Sequence, residues 1–218
     1  MHALACSLRR PSWGFALAAW LSTAPLALAH AGGGAGGLVS GLQHPWSGWD
    51  HIAAMVAVGL WGAQLGAPAL WMLPVAFPLI MALGGMLGLL GLPLPGVEVG
   101  IAFSALLLGI MVAAQVRPRH PAWAAVIVGF FGLFHGHAHG TELPAGENGL
   151  LYSLGFVVAT GVLHGIGIGL GEVRRWSHGS RLLRAAGALI ALAGGTFLFG
   201  ALRSGPDDAV PAATAPRS

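Results

Sequence analysis

The chain from His44 onward alternates between long apolar runs and short breaks that are rich in proline, glycine or arginine. Each apolar run is close to the roughly 20 residues that an α-helix needs to cross a bilayer. The six runs cover residues 46–65, 70–91, 98–116, 122–139, 150–170 and 183–202. Because the breaks are short, consecutive helices should be antiparallel neighbours. The pattern therefore predicts an all-α membrane protein, with a bundle of six transmembrane helices within residues 30–203.

The amino-terminal segment has a different pattern. Residues 1–29 follow the three-part plan of a secretory signal peptide, with Arg9 and Arg10 before an apolar stretch and a small-residue ending. We expect this signal peptide to be cleaved, which would make His30 the mature amino terminus. The α-amine and imidazole of His30 could then chelate a metal together. Alternatively, His30 simply begins a flexible glycine-rich linker that continues to Gly37.

Composition agrees with a membrane protein. Hydrophobic residues make up 56% of the chain and charged residues 8%, and the mean hydropathy of +0.76 is too high for a soluble domain of this size. The chain has no lysine, which excludes a retinal or pyridoxal Schiff base and a Walker A phosphate loop. ATP-driven transport by this chain alone is therefore not expected. Cys6 lies within the predicted signal peptide, and residues 204–218, rich in proline and alanine, are expected to be disordered.

The formal charge of +3 does not indicate nucleic-acid binding, because the arginines lie between or beside the apolar runs. The breaks after the first, third and fifth predicted helices, with the start of the sixth, contain Arg117, Arg119, Arg174, Arg175, Arg181 and Arg184. The breaks after the second and fourth contain no arginine. The positive-inside rule places the arginine-rich breaks in the cytoplasm. We therefore expect a multi-pass protein of the bacterial inner membrane with both mature termini in the periplasm.

Two groups of metal-ligating residue types lie at the same predicted outer face. The first group comprises His44, Asp50 and His51, and the second comprises His135, His139 and Glu142. The first group begins the first predicted helix, where His44 and His51 are seven residues apart and would share a face. The second group ends the fourth predicted helix with spacings of i, i+4 and i+7, which also share a face. His137 would point away from both groups.

A single histidine at a helix end is usually an interfacial residue, so the grouping matters more than any one position. Asp50 needs a partner, because a carboxylate within a membrane helix costs about 2.5–3.5 kcal/mol when it is placed centrally. A metal-free Asp–His hydrogen bond could supply that partner. However, five histidines and two acids in two segments exceed what mutual pairing requires. Imidazole and carboxylate together suit divalent transition metals, so we expect a metal site.

His164 lies about 14 residues inside the fifth predicted helix, or about 21 Å below the outer surface. Two interpretations stay open. It could bond to the hydroxyl of Thr160 or to a backbone carbonyl one turn away, or it could form a second station for an ion that moves inward.

Residues 44–51 and 134–142 together resemble the HupE/UreJ family of bacterial nickel and cobalt permeases. Residues 44–51 fit the H-x5-D-H signature of that family, and residues 134–142 fit its F-H-G-x-A-x-G-x-E signature. The predicted signal peptide and six helices extend the resemblance over essentially the whole chain. The resemblance implies that the residues needed for transport are His44, Asp50, His51, His135 and Glu142.

The pattern predicts a secondary, non-ATP uptake permease for a divalent metal, and the resemblance implies that this metal is nickel or cobalt, as substrate and not as a catalytic cofactor. The expected partners are the metal ion and the lipid bilayer, and we do not expect an enzyme. One alternative is an intramembrane zinc hydrolase that recruits Ser47, Ser104 or Ser153. Another is a metal sensor that binds without transport.

Overall fold

The computed structural model of the protein describes residues 36–204. The predicted signal peptide, His30 and residues 205–218 of the predicted tail lie outside this range. The described residues form α-helices and short connections, which confirms the all-α prediction. The α-helices are α1 (Gly36–Gln43), α2 (Trp49–Leu65), α3 (Ala69–Leu89), α4 (Val97–Ala114), α5 (Pro121–Thr141), α6 (Gly149–Gly171) and α7 (Gly179–Arg203). Two 3₁₀ helices cover His44–Trp46 and Glu172–Arg175.

Helix boundaries follow local chemistry. The side chain of Asn148 accepts hydrogen bonds from the backbone N–H groups of Leu150 and Leu151 and so begins α6. Before α5, the His120 side chain accepts from the backbone N–H of Ala122. Pro121 occupies the first turn of α5, where its missing N–H costs no helical hydrogen bond.

Five helices within residues 36–204, α3 to α7, are long and apolar enough to cross a membrane. The helix α2 has 17 residues, which gives about 26 Å at 1.5 Å per residue and is slightly less than a typical hydrocarbon core of about 30 Å. The chain is therefore a multi-helix membrane protein, and the count of six spans stays a prediction.

The prediction of a continuous first helix that carries His44 was wrong. Pro45 begins a separate 3₁₀ turn, and Gly48 has an extended backbone with φ −108° and ψ 120° just before α2. The Ser47 hydroxyl also bonds to the His44 carbonyl at 2.6 Å, a local bond that competes with helix continuation. His44 and His51 are therefore not on one helix face. The predicted glycine linker is also shorter than expected, since Gly36 begins α1.

The bundle buries α2 at its centre and exposes large apolar side chains outward. From Ala54 to Gln64 every residue of α2 except Val56 is buried, and α2 packs against α3, α4 and α6. Large side chains on the outside, such as Trp71, Leu192 and Phe199, are more than half exposed. An outward apolar surface of this kind is suited to lipid.

Candidate metal-binding site

Asp50 and His51 lie in the first turn of α2. The carboxylate Oδ1 of Asp50 accepts a hydrogen bond from the His51 backbone N–H at 2.8 Å and contacts the ring Nδ1 at 2.9 Å. Because a carboxylate only accepts, Nδ1 carries the ring proton of a neutral His51. Its Nε2 then presents a lone pair, and this buried nitrogen has no hydrogen-bond partner. Asp50 thus orients His51 in the way that carboxylates orient metal-ligating histidines.

His135, on α5, is fully buried and is oriented by Ser104 of α4. The Ser104 hydroxyl donates its single proton to the Ile101 carbonyl at 2.6 Å. Its oxygen therefore accepts from His135 Nε2 at 2.9 Å. This arrangement leaves Nδ1 of a neutral His135 with a lone pair and no partner.

His139 lies one turn further along α5 and is 4% exposed. Neither of its ring nitrogens has a hydrogen-bond partner. The His51 ring centroid is 4.7 Å from the centroids of both His135 and His139, and the His139 centroid is 4.5 Å from that of His44. Four imidazoles from three helical segments are therefore in continuous ring contact.

His44 and Glu142 lie where this series of rings reaches the surface. His44 Nε2 is 2.9 Å from Glu142 Oε2, and one ligand atom each from His44, His139 and Glu142 can be chosen so that all three lie within 4.8 Å of one another. A surface pocket of about 410 Å³ is lined by His44, Ser47, Gly48, Asp50, His51, His139 and Glu142. Six waters occupy about 180 Å³ at about 30 Å³ each, so the pocket can admit a hydrated ion. We refer to the four imidazoles with Asp50 and Glu142 as the histidine cluster.

The donor set of the histidine cluster fits a divalent transition metal. Buried polar atoms in proteins nearly always have a hydrogen-bond partner. However, at least one ring nitrogen of each of His51, His135 and His139 has none. A cation that accepts their lone pairs would satisfy them, and the carboxylates of Asp50 and Glu142 would offset its charge. Neutral imidazole with carboxylate suits nickel, cobalt, zinc and copper better than magnesium or calcium.

Close contact between the backbones of α3 and α5 fixes the positions of His135 and His139 along the bundle axis. A Cβ at Gly136 would lie 1.9 Å from the Met81 carbonyl oxygen, so only glycine fits there. The helix α5 stays α-helical as far as Thr141, although Gly136 and Gly140 lie in its last turns. His137 consequently points away from the cluster, as predicted, and its Nε2 bonds to the Leu92 carbonyl at 2.7 Å.

Two residues near the cluster were not predicted as parts of a metal site. Ser104 was considered only as a nucleophile, because a serine within an apolar run gives no sign that it contacts a histidine. Glu98, in the first turn of α4, is close enough to interact electrostatically with Glu142, Asp50 and His51. The signal for Glu98 was available, since it is an acid at the same predicted face as the two histidine groups.

Of the two other predicted ligands, only His164 lies within the described residues, and it is not part of the cluster. His164 lies on α6 and contacts the ring of Phe77, whose centroid is 5.3 Å from the imidazole centroids of both His135 and His164. His30 lies outside the described residues.

Comparisons with known proteins agree with the resemblance carried by the two signatures. A family model described as HupE / UreJ protein matches residues 17–197. A curated relative, Protein HupE from Rhizobium leguminosarum bv. viciae, is 48% identical over 180 residues, which cover 83% of this chain and 94% of that protein. No solved structure matches the chain significantly.

Proposed function

Because this chain belongs to the HupE/UreJ family, we propose that it is a secondary permease for divalent nickel or cobalt. It takes up the ion across the bacterial inner membrane and captures it at the histidine cluster, on the periplasmic face. The observation that supports this proposal is the series of imidazoles in ring contact. It runs from His44, which lies beside the exposed Glu142, to the fully buried His135.

The geometry suggests how the ion enters. Glu142 and His44 lie at the surface, where a carboxylate and an imidazole can replace the first waters of the hydrated cation. His139 and His51 then offer free ring nitrogens at the next level, and His135 offers Nδ1 below them. Each step replaces water by nitrogen, so the ion loses its hydration shell gradually.

Charge supports the same direction of movement. The cluster end of the bundle carries Asp50, Glu142 and Glu98, whereas Arg117 bonds to the Gln64 carbonyl at the opposite end of α2 at 3.1 Å. With that arginine end in the cytoplasm, as the positive-inside rule requires, the cluster faces the periplasm. An inside-negative potential contributes about 2.3 kcal/mol per charge per 100 mV, or about 4.6 kcal/mol for a divalent ion. No nucleotide site is then needed to drive uptake.

The hydrolase alternative is not favoured by the serines near the cluster. The Ser47 and Ser104 hydroxyls both donate to backbone carbonyls, and Ser104 is fully buried. In this arrangement the Ser104 proton is bonded to the Ile101 carbonyl and not to His135.

The test is metal flux into proteoliposomes that contain the purified protein and a metal-sensitive dye in the lumen. We expect saturable uptake of Ni²⁺ or Co²⁺, little uptake of Mg²⁺, and faster uptake when an inside-negative potential is imposed. Metal binding by the same protein, measured by isothermal titration, should saturate over a similar concentration range. A protein that binds Ni²⁺ and Co²⁺ but passes neither would contradict transport and favour a sensor.

A further inference from the structure

His164 is a buried imidazole that the histidine cluster does not include. It lies on α6, is 1% exposed, and has no hydrogen-bond partner at either ring nitrogen. The bond to Thr160 considered from the sequence is not formed, because the Thr160 hydroxyl instead faces the Met81 sulfur at 4.0 Å. Burial of an unpaired polar group is unfavourable, so this position requires an explanation.

The surroundings of His164 contain further unused donor atoms. Pro78 lacks the backbone N–H that would bond to the Pro74 carbonyl, four residues earlier on α3. The Pro74 backbone faces the His164 ring, although neither ring nitrogen makes a hydrogen bond of ordinary geometry. A carbonyl without its helical partner therefore lies next to an imidazole whose ring nitrogens make no hydrogen bond of ordinary geometry.

The side chains nearby add a thioether and a hydroxyl. Thr160 lies one turn before His164 on α6, and Met81 lies one turn after Phe77 on α3, so all four residues face the same α3–α6 interface. Both Met81 and Thr160 are buried. Imidazole, thioether, hydroxyl and carbonyl together form a neutral donor set, in which nitrogen and sulfur favour the softer transition metals over magnesium, calcium and manganese.

The position of His164 relative to the histidine cluster also matters. The Phe77 ring contacts both His135 and His164, with 5.3 Å from its centroid to each imidazole centroid, so the two imidazole centroids are at most twice that distance apart. His164 is 15 residues along α6 from its cluster end, or about 22 Å, whereas His135 is about 9 Å from the corresponding end of α5. His164 is therefore the next imidazole inward from His135.

We propose that His164, with the Met81 sulfur and the Thr160 hydroxyl, forms a second binding station for the dehydrated metal ion, next to the Phe77 ring that also contacts His135 of the histidine cluster. This inference rests on the proposed transport function. The second station carries no carboxylate, so it binds the cation more weakly than the cluster does. Weak binding suits a station from which the ion must leave again.

The experiment compares flux with binding for three variants of the full chain. His164→Leu should reduce Ni²⁺ flux into proteoliposomes by about 10–100-fold, the usual cost of disturbing a metal site, while Ni²⁺ affinity at the histidine cluster stays within about twofold of the unmodified protein. His164→Met retains a soft donor and should recover part of the flux. Met81→Leu removes only the sulfur and should lower flux less than His164→Leu. His178→Leu, an exposed histidine on a loop, is the matched control and should behave like the unmodified protein.

Each outcome has a defined meaning. If the unmodified protein binds Ni²⁺ but shows no flux, the proposed function fails. If the unmodified protein transports and His164→Leu transports at the same rate, only the second station is overturned. If His164→Leu does not accumulate as folded protein, Met81→Leu decides: reduced flux with unchanged cluster affinity supports the station, and unchanged flux overturns it.

Discussion

The polar side chains at the two ends of α2 differ in how many of their hydrogen-bonding groups have a partner. At the start of α2, His51 has a free ring nitrogen and faces the imidazoles of His135 and His139, each of which also has at least one free ring nitrogen. At its other end, Trp61 Nε1 donates to the Val116 carbonyl at 2.9 Å and Gln64 Nε2 donates to the Val112 carbonyl at 3.1 Å. Arg117 also bonds across this junction, to the Gln64 carbonyl.

The difference separates two uses of polar groups in a membrane protein. Unpaired donors and acceptors are costly, so their concentration at one end of the helix indicates a ligand site. At the other end most polar side-chain groups are paired, with the buried Gln64 Oε1 as an exception, and these pairs join α2 to the end of α4. We call the two ends of α2 the proposed binding end and the fastened end, and we expect substitutions at the two ends to have different consequences.

The largest expected effect is at the binding end. Asp50→Asn should reduce Ni²⁺ uptake to background while the protein stays folded in the membrane, because the amide cannot offset the cation's charge. Uptake in proteoliposomes checks this. Glu147→Gln is the matched control, since Glu147 contacts Ser40 and not the cluster, and should transport normally. Normal Ni²⁺ uptake by Asp50→Asn would contradict the proposal that the metal binds at this end of α2.

A second comparison uses two histidines on α5. His135→Leu should weaken Ni²⁺ binding by about 10–100-fold, because it removes a ligand with a free nitrogen. His137→Leu should change affinity by less than about threefold, because its ring lies on the other side of α5 from the cluster and bonds to the Leu92 carbonyl. That carbonyl would lose a donor, which should cost about 1 kcal/mol in stability. Isothermal titration measures the affinities, and equal losses in both variants would contradict the geometry.

A third prediction concerns the backbone that supports the ligands. Gly136→Ala should lower the midpoint of thermal unfolding in detergent and weaken Ni²⁺ binding together, because its Cβ would meet the Met81 carbonyl. Gly165→Ala on α6 is the matched control, since no atom lies within 4 Å of its added Cβ. The control should be neutral or slightly stabilising, by up to about 1 kcal/mol. A drop in both variants would mean that the contact is not the cause.

The smallest effect on Ni²⁺ binding is expected at the fastened end. Trp61→Phe removes the hydrogen bond to the Val116 carbonyl and leaves a cavity at a fully buried site, so it should cost more stability than the about 0.5–1.5 kcal/mol of the hydrogen bond alone. Ni²⁺ affinity at the histidine cluster should be unchanged. Thermal unfolding and titration of the same preparation provide both values. A clear loss of affinity in Trp61→Phe would show that the two ends are not independent.

Most of the fold was predictable because hydropathy and breaks dominate a membrane sequence. The predicted runs and the observed helices α3 to α7 agree within a few residues, since proline, glycine and arginine mark where apolar stretches end. The interruption at His44–Gly48 was not predicted. It arises from Pro45, a Ser47 bond to the backbone and an extended Gly48, whereas the prediction had placed Pro45 in the first turn of the helix, where proline is tolerated.

The candidate site was predictable where helix periodicity applied. The i, i+4 relation on α5 correctly separated His137 from His135 and His139. The partner of His135 could not be read in the same way, because Ser104 belongs to another helix and only packing brings the two together. For His51, the partner is its own neighbour, Asp50, but the spacing alone did not separate an orienting carboxylate from a ligand.

The contact at Gly136 also limits how the metal preference of this protein could be redesigned. His135 and His139 are carried by one stretch of backbone that touches α3 directly, so neither can be moved without the other. An altered preference would therefore have to come from exchanging side chains, most easily at the exposed Glu142, and not from reshaping the main chain.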